Sequence, residues 1–160
     1  METVKRGTGH GRRGHRTVTS QSDNASAVFY WPVRVYFEDT DAGGVVYHAN
    51  YLRFMERART EWLRSLGFEQ DELRSRFGIQ FVVTCAHVEY RRAVQFNAEL
   101  IVSATVTKAG RASLNFAQQI SLSAEDGSVV CEAEIKVACV DVKDLKPRPL
   151  PQEVVAELTK

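Results

Sequence analysis

The stretch Tyr51-Leu52-Arg53-Phe54-Met55-Glu56-Arg57-Ala58-Arg59-Thr60-Glu61-Trp62-Leu63-Arg64-Ser65-Leu66-Gly67 decides the fold. Its apolar residues Tyr51, Phe54, Met55, Ala58, Trp62, Leu63 and Leu66 recur at spacings of three and four, which places them on one stripe of a helix. Arg53, Glu56, Arg57, Glu61 and Arg64 take the other side. Gly67 supplies the left-handed residue that closes such a helix, and Glu69 to Phe77 are expected to add a short second one.

Away from this helix the period changes to two. Ile79 to Tyr90, Glu99 to Thr107, Ala112 to Leu122 and Val129 to Val142 alternate as half-buried strands, with Leu100, Val102, Ala104 and Val106 on one face. The turn clusters Lys108-Ala109-Gly110 and Glu125-Asp126-Gly127-Ser128 join the last three strands as an antiparallel meander. Upstream, Trp31 to Phe37 reads as a first strand, its Pro32 near the start where a missing donor is tolerated. A five-turn helix with one apolar stripe must bury it against the only large apolar surface available, a sheet face. The predicted architecture is α+β, an antiparallel sheet of about five strands around one long helix. One helix covers neither both faces nor the edges, so self-association is expected.

Composition bounds the remainder. With 160 residues, 44% hydrophobic and 26% charged, one soluble domain is expected, and the apolar runs are too short for membrane insertion. Residues 1–28 carry five basic against two acidic side chains, +3, which leaves −2 for the rest of a chain whose net charge is +1. The body is therefore slightly acidic and offers no nucleic-acid surface. Poor in large apolar side chains, residues 1–28 are expected to form a disordered basic extension, either without an address or imitating a transit peptide; the folded domain is placed at 29–160. Cys85, Cys131 and Cys139 form no CxxC pair and lie in apolar runs, so buried thiols in a reducing, cytoplasmic compartment are expected.

Chemistry concentrates where the first strand meets the helix, in Glu38-Asp39-Thr40-Asp41-Ala42-Gly43-Gly44-Val45-Val46-Tyr47-His48-Ala49-Asn50-Tyr51. Two glycines allow positive φ and close approach of a ligand, and the helix starting near His48 to Asn50 aims unpaired N–H groups at the loop. Such donors polarise a carbonyl oxygen, while a carboxylate opposite attacks it or activates water; a thioester needs no metal and no cofactor for this. Locally two readings stand, because Asp-rich, Gly-containing junctions also serve as turns and caps, and His48 fits capping or packing as well as acid–base chemistry. Glu38 and Asp39 fit solvent or hydrogen bonds within the loop.

Trp31-Pro32-Val33-Arg34-Val35-Tyr36, the run Glu38 to Ala49, Glu56-Arg57-Ala58-Arg59-Thr60-Glu61, Val88-Glu89-Tyr90, Cys139-Val140-Asp141 and Lys146 to Pro151 closely resemble the acyl-CoA thioesterases associated with the Tol-Pal envelope system, the YbgC type, within the 4-hydroxybenzoyl-CoA thioesterase family. The resemblance covers about residues 31–158. It implies a hot-dog fold, a homodimer with active sites at its interface assembling to a homotetramer, and acyl-CoA as substrate. It puts the catalytic carboxylate on Asp41 and the carbonyl-facing backbone N–H on His48, with Asp39 as structural partner. Gly44, Val46, Tyr47 and Asn50 are expected to contact the substrate. Arg91 and Lys146, with Arg92 and Arg148, are candidates by position and charge for the CoA phosphates, against the plainer reading of solvated cations. Some relatives carry a Tyr four residues before the catalytic Asp; here that position is Phe37, and strand alternation turns Tyr36 away from it. The implied activity is hydrolysis of short- to medium-chain acyl-CoA, with Asp41 as nucleophile or, slightly favoured for small acyl groups, general base. Two alternatives remain: a non-catalytic module binding acyl-CoA, acyl-carrier protein or Tol-Pal partners, and a hot-dog dehydratase.

Overall fold

The computed structural model describes residues 27–123 and 127–159; residues 1–26 of the basic extension, and Glu125 and Asp126 of the Glu125 to Ser128 turn, therefore lie outside the described residues. Strand β1, Phe29–Arg34, leads through a 3-10 turn, Phe37–Asp39, to helix α1, His48–Ser65. A short helix α2, Gln70–Glu72, runs into one π turn, Leu73–Phe77. Strands β2, Ile79–Tyr90, β3, Glu99–Ala109, β4, Ser113–Leu122, and β5, Val129–Asp141, follow, and helix α3, Gln152–Leu158, ends the described chain. The sheet order is β1-β3-β4-β5-β2, every pair antiparallel.

The helical stripe is the core seam. Tyr51, Phe54, Met55, Ala58, Trp62 and Leu63 are buried against Leu100, Val102 and Ala104 of β3 and Leu114, Phe116 and Ile120 of β4. Trp62 meets Phe116 edge to face at 5.0 Å. Each such large apolar side chain contributes roughly 1.5–3 kcal/mol, before the entropy of ordering it. One polar bridge crosses the seam: buried Gln118 on β4 donates to the Met55 carbonyl (3.0 Å) and accepts from the Arg59 guanidinium (2.7 Å). Gly67, at φ +87°, follows the helix as expected, and α1 held by an antiparallel five-stranded sheet is the hot-dog arrangement.

Three expectations need correction. The first strand stops at Arg34 rather than Phe37, because the Asp39 carboxylate accepts the Tyr36 N–H (2.8 Å) and draws the chain into its 3-10 turn. Strand alternation therefore does not govern Tyr36 and Phe37, and both are exposed. Cys85 is exposed while Cys131 and Cys139 are buried. A register shift between Val83 and Cys85 sets Val83 opposite the core residue Val137 but Cys85 opposite the exposed Lys136. Helix α3, which follows Pro151 and buries Val154, was signalled only by a short apolar spacing after proline.

The meander leaves β1 and β2 as the two edges, and β2, twelve residues long, exposes Val83 to His87. The outer face is polar, carrying Ser103, Thr105, Gln119, Glu132 and Glu134 around an open depression. No helix among the described residues is long and apolar enough to cross a membrane.

Candidate active site

The loop between the 3-10 turn and α1 is tied by backbone and side chain together. The Asp39 carbonyl accepts the Tyr47 N–H (2.8 Å) and the Asn50 side-chain amide (2.9 Å), so the loop closes onto the first turn of the helix. Asp39 is 5% exposed, and its carboxylate is used on Tyr36, which suits the structural part expected of it. Thr40 bridges Val46, Asp41 N–H donates to Val45 O (2.9 Å), and Val46 N–H donates to Val94 O (2.8 Å), anchoring the loop on the β2–β3 connection.

Within that frame Asp41 is exposed at the loop's tip. Its Oδ1 accepts the Gly43 N–H at 2.8 Å, and its carbonyl accepts the Gly44 N–H at 3.0 Å. Gly44 holds φ +76°, a conformation that disfavours a β-carbon. Among the described residues nothing donates to the second carboxylate oxygen. The arrangement thus fixes one oxygen of Asp41 and leaves the other open to solvent or a substrate.

Helix α1 begins at His48 with no side-chain cap; the Asn50 N–H turns back to Tyr47 O (2.8 Å). The N–H groups of His48 and Ala49 have no acceptor among the described residues, so two aligned donors carry the positive end of the helix dipole. Around them stands an aromatic wall: the Tyr47 ring is 4.4 Å from the His48 ring, and Tyr90 meets His48 at 6.3 Å and Tyr51 at 5.7 Å. The Tyr90 hydroxyl donates to the His48 carbonyl at 3.1 Å. Sequence reasoning gave Tyr90 no role; its one signal was its place in Val88-Glu89-Tyr90, a segment that carries the resemblance.

The other expected contacts divide. Gly44, Tyr47 and His48 are exposed on the loop and helix start, whereas Val46 is in the core and Asn50 is committed to Asp39, so both hold the loop rather than face a ligand. Arg91 turns to the outer face, paired with Glu89 and with Glu132 at 3.1 Å. Lys146 pairs with Asp144 at 3.1 Å and its carbonyl accepts Asp141 N–H, which places it beside the β2 start, the end remote from Tyr90. Arg148 is bonded to Asp141 at 3.1 Å. A cavity of about 110 Å³ under β2 is lined by Arg59, Trp62, Leu63, Phe81, Phe116 and Val137. Eleven residues of helix separate Arg59 from His48, about 17 Å along its axis.

The family model of the thioesterase-like superfamily matches residues 35–158. Acyl-CoA thioester hydrolase YbgC of Escherichia coli O157:H7 is 47% identical over 132 residues, 82% of this chain and 96% of that protein. Among solved structures, a probable thioesterase from Bartonella henselae aligns at TM-score 0.72 and 34% identity, over 78% of this chain and all of that one. A 1,4-dihydroxy-2-naphthoyl-CoA thioesterase from Synechocystis, Slr0204, at 24% identity, shares the fold with TM-score 0.76 over 82% of this chain and 96% of its own.

Proposed function

The chain belongs to the thioesterase-like superfamily, as an enzyme that cleaves acyl-CoA thioesters, and on that premise we propose that Asp41 drives the hydrolysis from the loop that closes onto helix α1. The observation that carries this reading is the pairing of an exposed carboxylate, fixed through one oxygen by Gly43 N–H, with two unpaired helix-terminal N–H groups at His48 and Ala49. The carbonyl oxygen is held by those donors as it becomes an oxyanion. Asp41 takes a proton from water as the new C–O bond forms, the C–S bond breaks, and the products are the free acid and CoA thiol. The competing course is attack by Asp41 to give a mixed anhydride; water that opens the anhydride at the Asp41 carboxyl carbon would put solvent oxygen into that side chain during a single turnover in heavy-oxygen water.

Substrates are short- to medium-chain acyl-CoA, and Gly44 and Tyr47 flank the thioester. In one chain the cavity beside Trp62 and Phe81 is remote from the start of helix α1. Antiparallel pairing of β2 with a second copy's β2 would bring the partner's cavity to the Tyr90 end, which supports a homodimer with two interface sites; a homotetramer, a cytoplasmic location and a link to Tol-Pal belong to the same reading. Arg91 and Lys146 would reach CoA phosphates only by exchanging their present carboxylates.

The test is release of free thiol from a panel running from acetyl- to palmitoyl-CoA. Wild type should turn over its shorter members, and Asp41→Asn should lose turnover while keeping the wild-type melting temperature. An unaffected Asp41→Asn variant would sink the assignment. Phe37, exposed and stacked on Phe96 at 3.9 Å, offers no hydroxyl, and this favours a second reading in which the site binds acyl-CoA without turnover. Tight binding with no thiol release at any chain length would select it.

A further inference from the structure

We infer that Tyr90 is a positioning residue for the carbonyl-binding half of the site, acting through the His48–Ala49 peptide; the inference rests on the thioesterase reading above. The two open donors at the helix start belong to successive peptide groups. The His48 N–H shares a peptide with the Tyr47 carbonyl, which accepts the Asn50 N–H at 2.8 Å, a bond within the first turn. The Ala49 N–H shares a peptide with the His48 carbonyl, which accepts the Tyr90 hydroxyl at 3.1 Å, a bond from forty-two residues away. A hydrogen bond received at a carbonyl polarises the N–H of the same peptide, so each donor is backed by a bond on its far side. The helix supplies such a bond at both carbonyls, that of His48 accepting the N–H four residues on. Tyr90 adds a second bond to the His48 carbonyl from outside the helix.

The surroundings suit that task. Tyr90 ends β2, paired with the buried Cys131 of β5, so its backbone is fixed by the sheet and not by the loop it supports. Its ring leans on Tyr51, a buried residue of α1. Burial and the nearby Cys131 raise its phenol above the ordinary tyrosine value, so the hydroxyl keeps its proton, and remains a donor, throughout the neutral range. The hydroxyl contacts no expected reacting atom: Asp41 is on the loop, and Tyr90 reaches only the back of the helix start.

Replacement by phenylalanine removes this one bond and leaves the ring. With butyryl-CoA and octanoyl-CoA as probes, Tyr90→Phe is expected to lower kcat about tenfold, a fraction of the hundredfold or more that follows loss of a whole oxyanion donor, with KM changed less than twofold. The Ala49 amide proton should move upfield in the nitrogen–proton spectrum while amides from the last turns of α1 stay in place. Tyr90→Leu, which also loses the ring, should show the same kcat loss with a lower melting temperature. The inference is overturned if Tyr90→Phe keeps wild-type kcat, if its whole effect lies in KM, or if Tyr90→Phe unfolds, since the hydroxyl would then be structural. A wild-type chain that releases no thiol from either probe overturns the thioesterase reading and this inference together, whereas a normal Tyr90→Phe beside an inactive Asp41→Asn overturns this inference alone.

Discussion

Asp39 and Asp41 are two residues apart in one loop, yet the structure gives their carboxylates different partners, and under the proposed function alanine at each separates stability from turnover. Of the four hydrogen bonds made at Asp39, two are accepted by its backbone carbonyl, from Tyr47 N–H and the Asn50 amide, and a third is donated by its backbone N–H to the Tyr36 carbonyl; these three do not use the side chain. Asp39→Ala therefore loses only the carboxylate bond to Tyr36 N–H. A charge-assisted bond of this kind, on a carboxylate 5% exposed, contributes about 2 kcal/mol. For a domain of this size that lowers the melting temperature by about 8 °C. Because the backbone knot to the helix remains, kcat measured below the new transition should fall by less than about tenfold. Asp41→Ala removes an exposed side chain with one bond, to Gly43 N–H, and should change stability by no more than about 1 kcal/mol. Its kcat should drop by roughly a hundred- to ten-thousand-fold, the contribution of a positioned base. Thermal and urea unfolding read the first quantity, and thiol release from butyryl-CoA reads the second. The division of labour is refuted if Asp39→Ala, fully folded, abolishes turnover as thoroughly as Asp41→Ala, or if Asp41→Ala unfolds the domain.

Gln118→Leu removes the acceptor of the Arg59 guanidinium and the donor to the Met55 carbonyl, and should cost about 3 kcal/mol in chemical denaturation; a loss below about 1 kcal/mol would contradict the bridge. Native protein should react with a thiol reagent at Cys85 alone, and all three cysteines only after denaturation; reaction of two or more in the native state would count against the buried assignments. Burial pushes the Cys131 and Cys139 thiols up to about 11 and the Tyr51 phenol up to about 12. Each folded-state value lies above its unfolded value, so the folded chain holds these protons longer. The stability they contribute is fully present below about pH 9 and declines as pH rises towards 11–12. Melting temperatures measured from pH 7 to 11.5 should fall across that window, and a flat or rising profile would refute the assignment.

The sequence by itself determined the elements whose signals are local. The stripe from Tyr51 to Leu63 repeats at the helical period, the runs from Ile79 to Tyr90 and Glu99 onward repeat at two, and both periods follow from backbone geometry that neighbouring residues share. The meander was legible for the same reason, since its turns are short, and the resemblance singled out Asp41 from a run of acidic residues. Only the tertiary structure decided which oxygen goes where. Asp39 and Asp41 look alike in sequence, and they differ because Tyr36 N–H meets one and Gly43 N–H the other. Cys85 reached the outer face through a register shift against β5, a partner some fifty residues away. The Tyr90 bond to His48 joins residues whose separation no local period encodes. Periodicity tells each segment which of its faces is apolar. Contacts between segments distant in the chain form only when the sheet has closed around the helix, and the arrangement of the candidate site depends on those contacts.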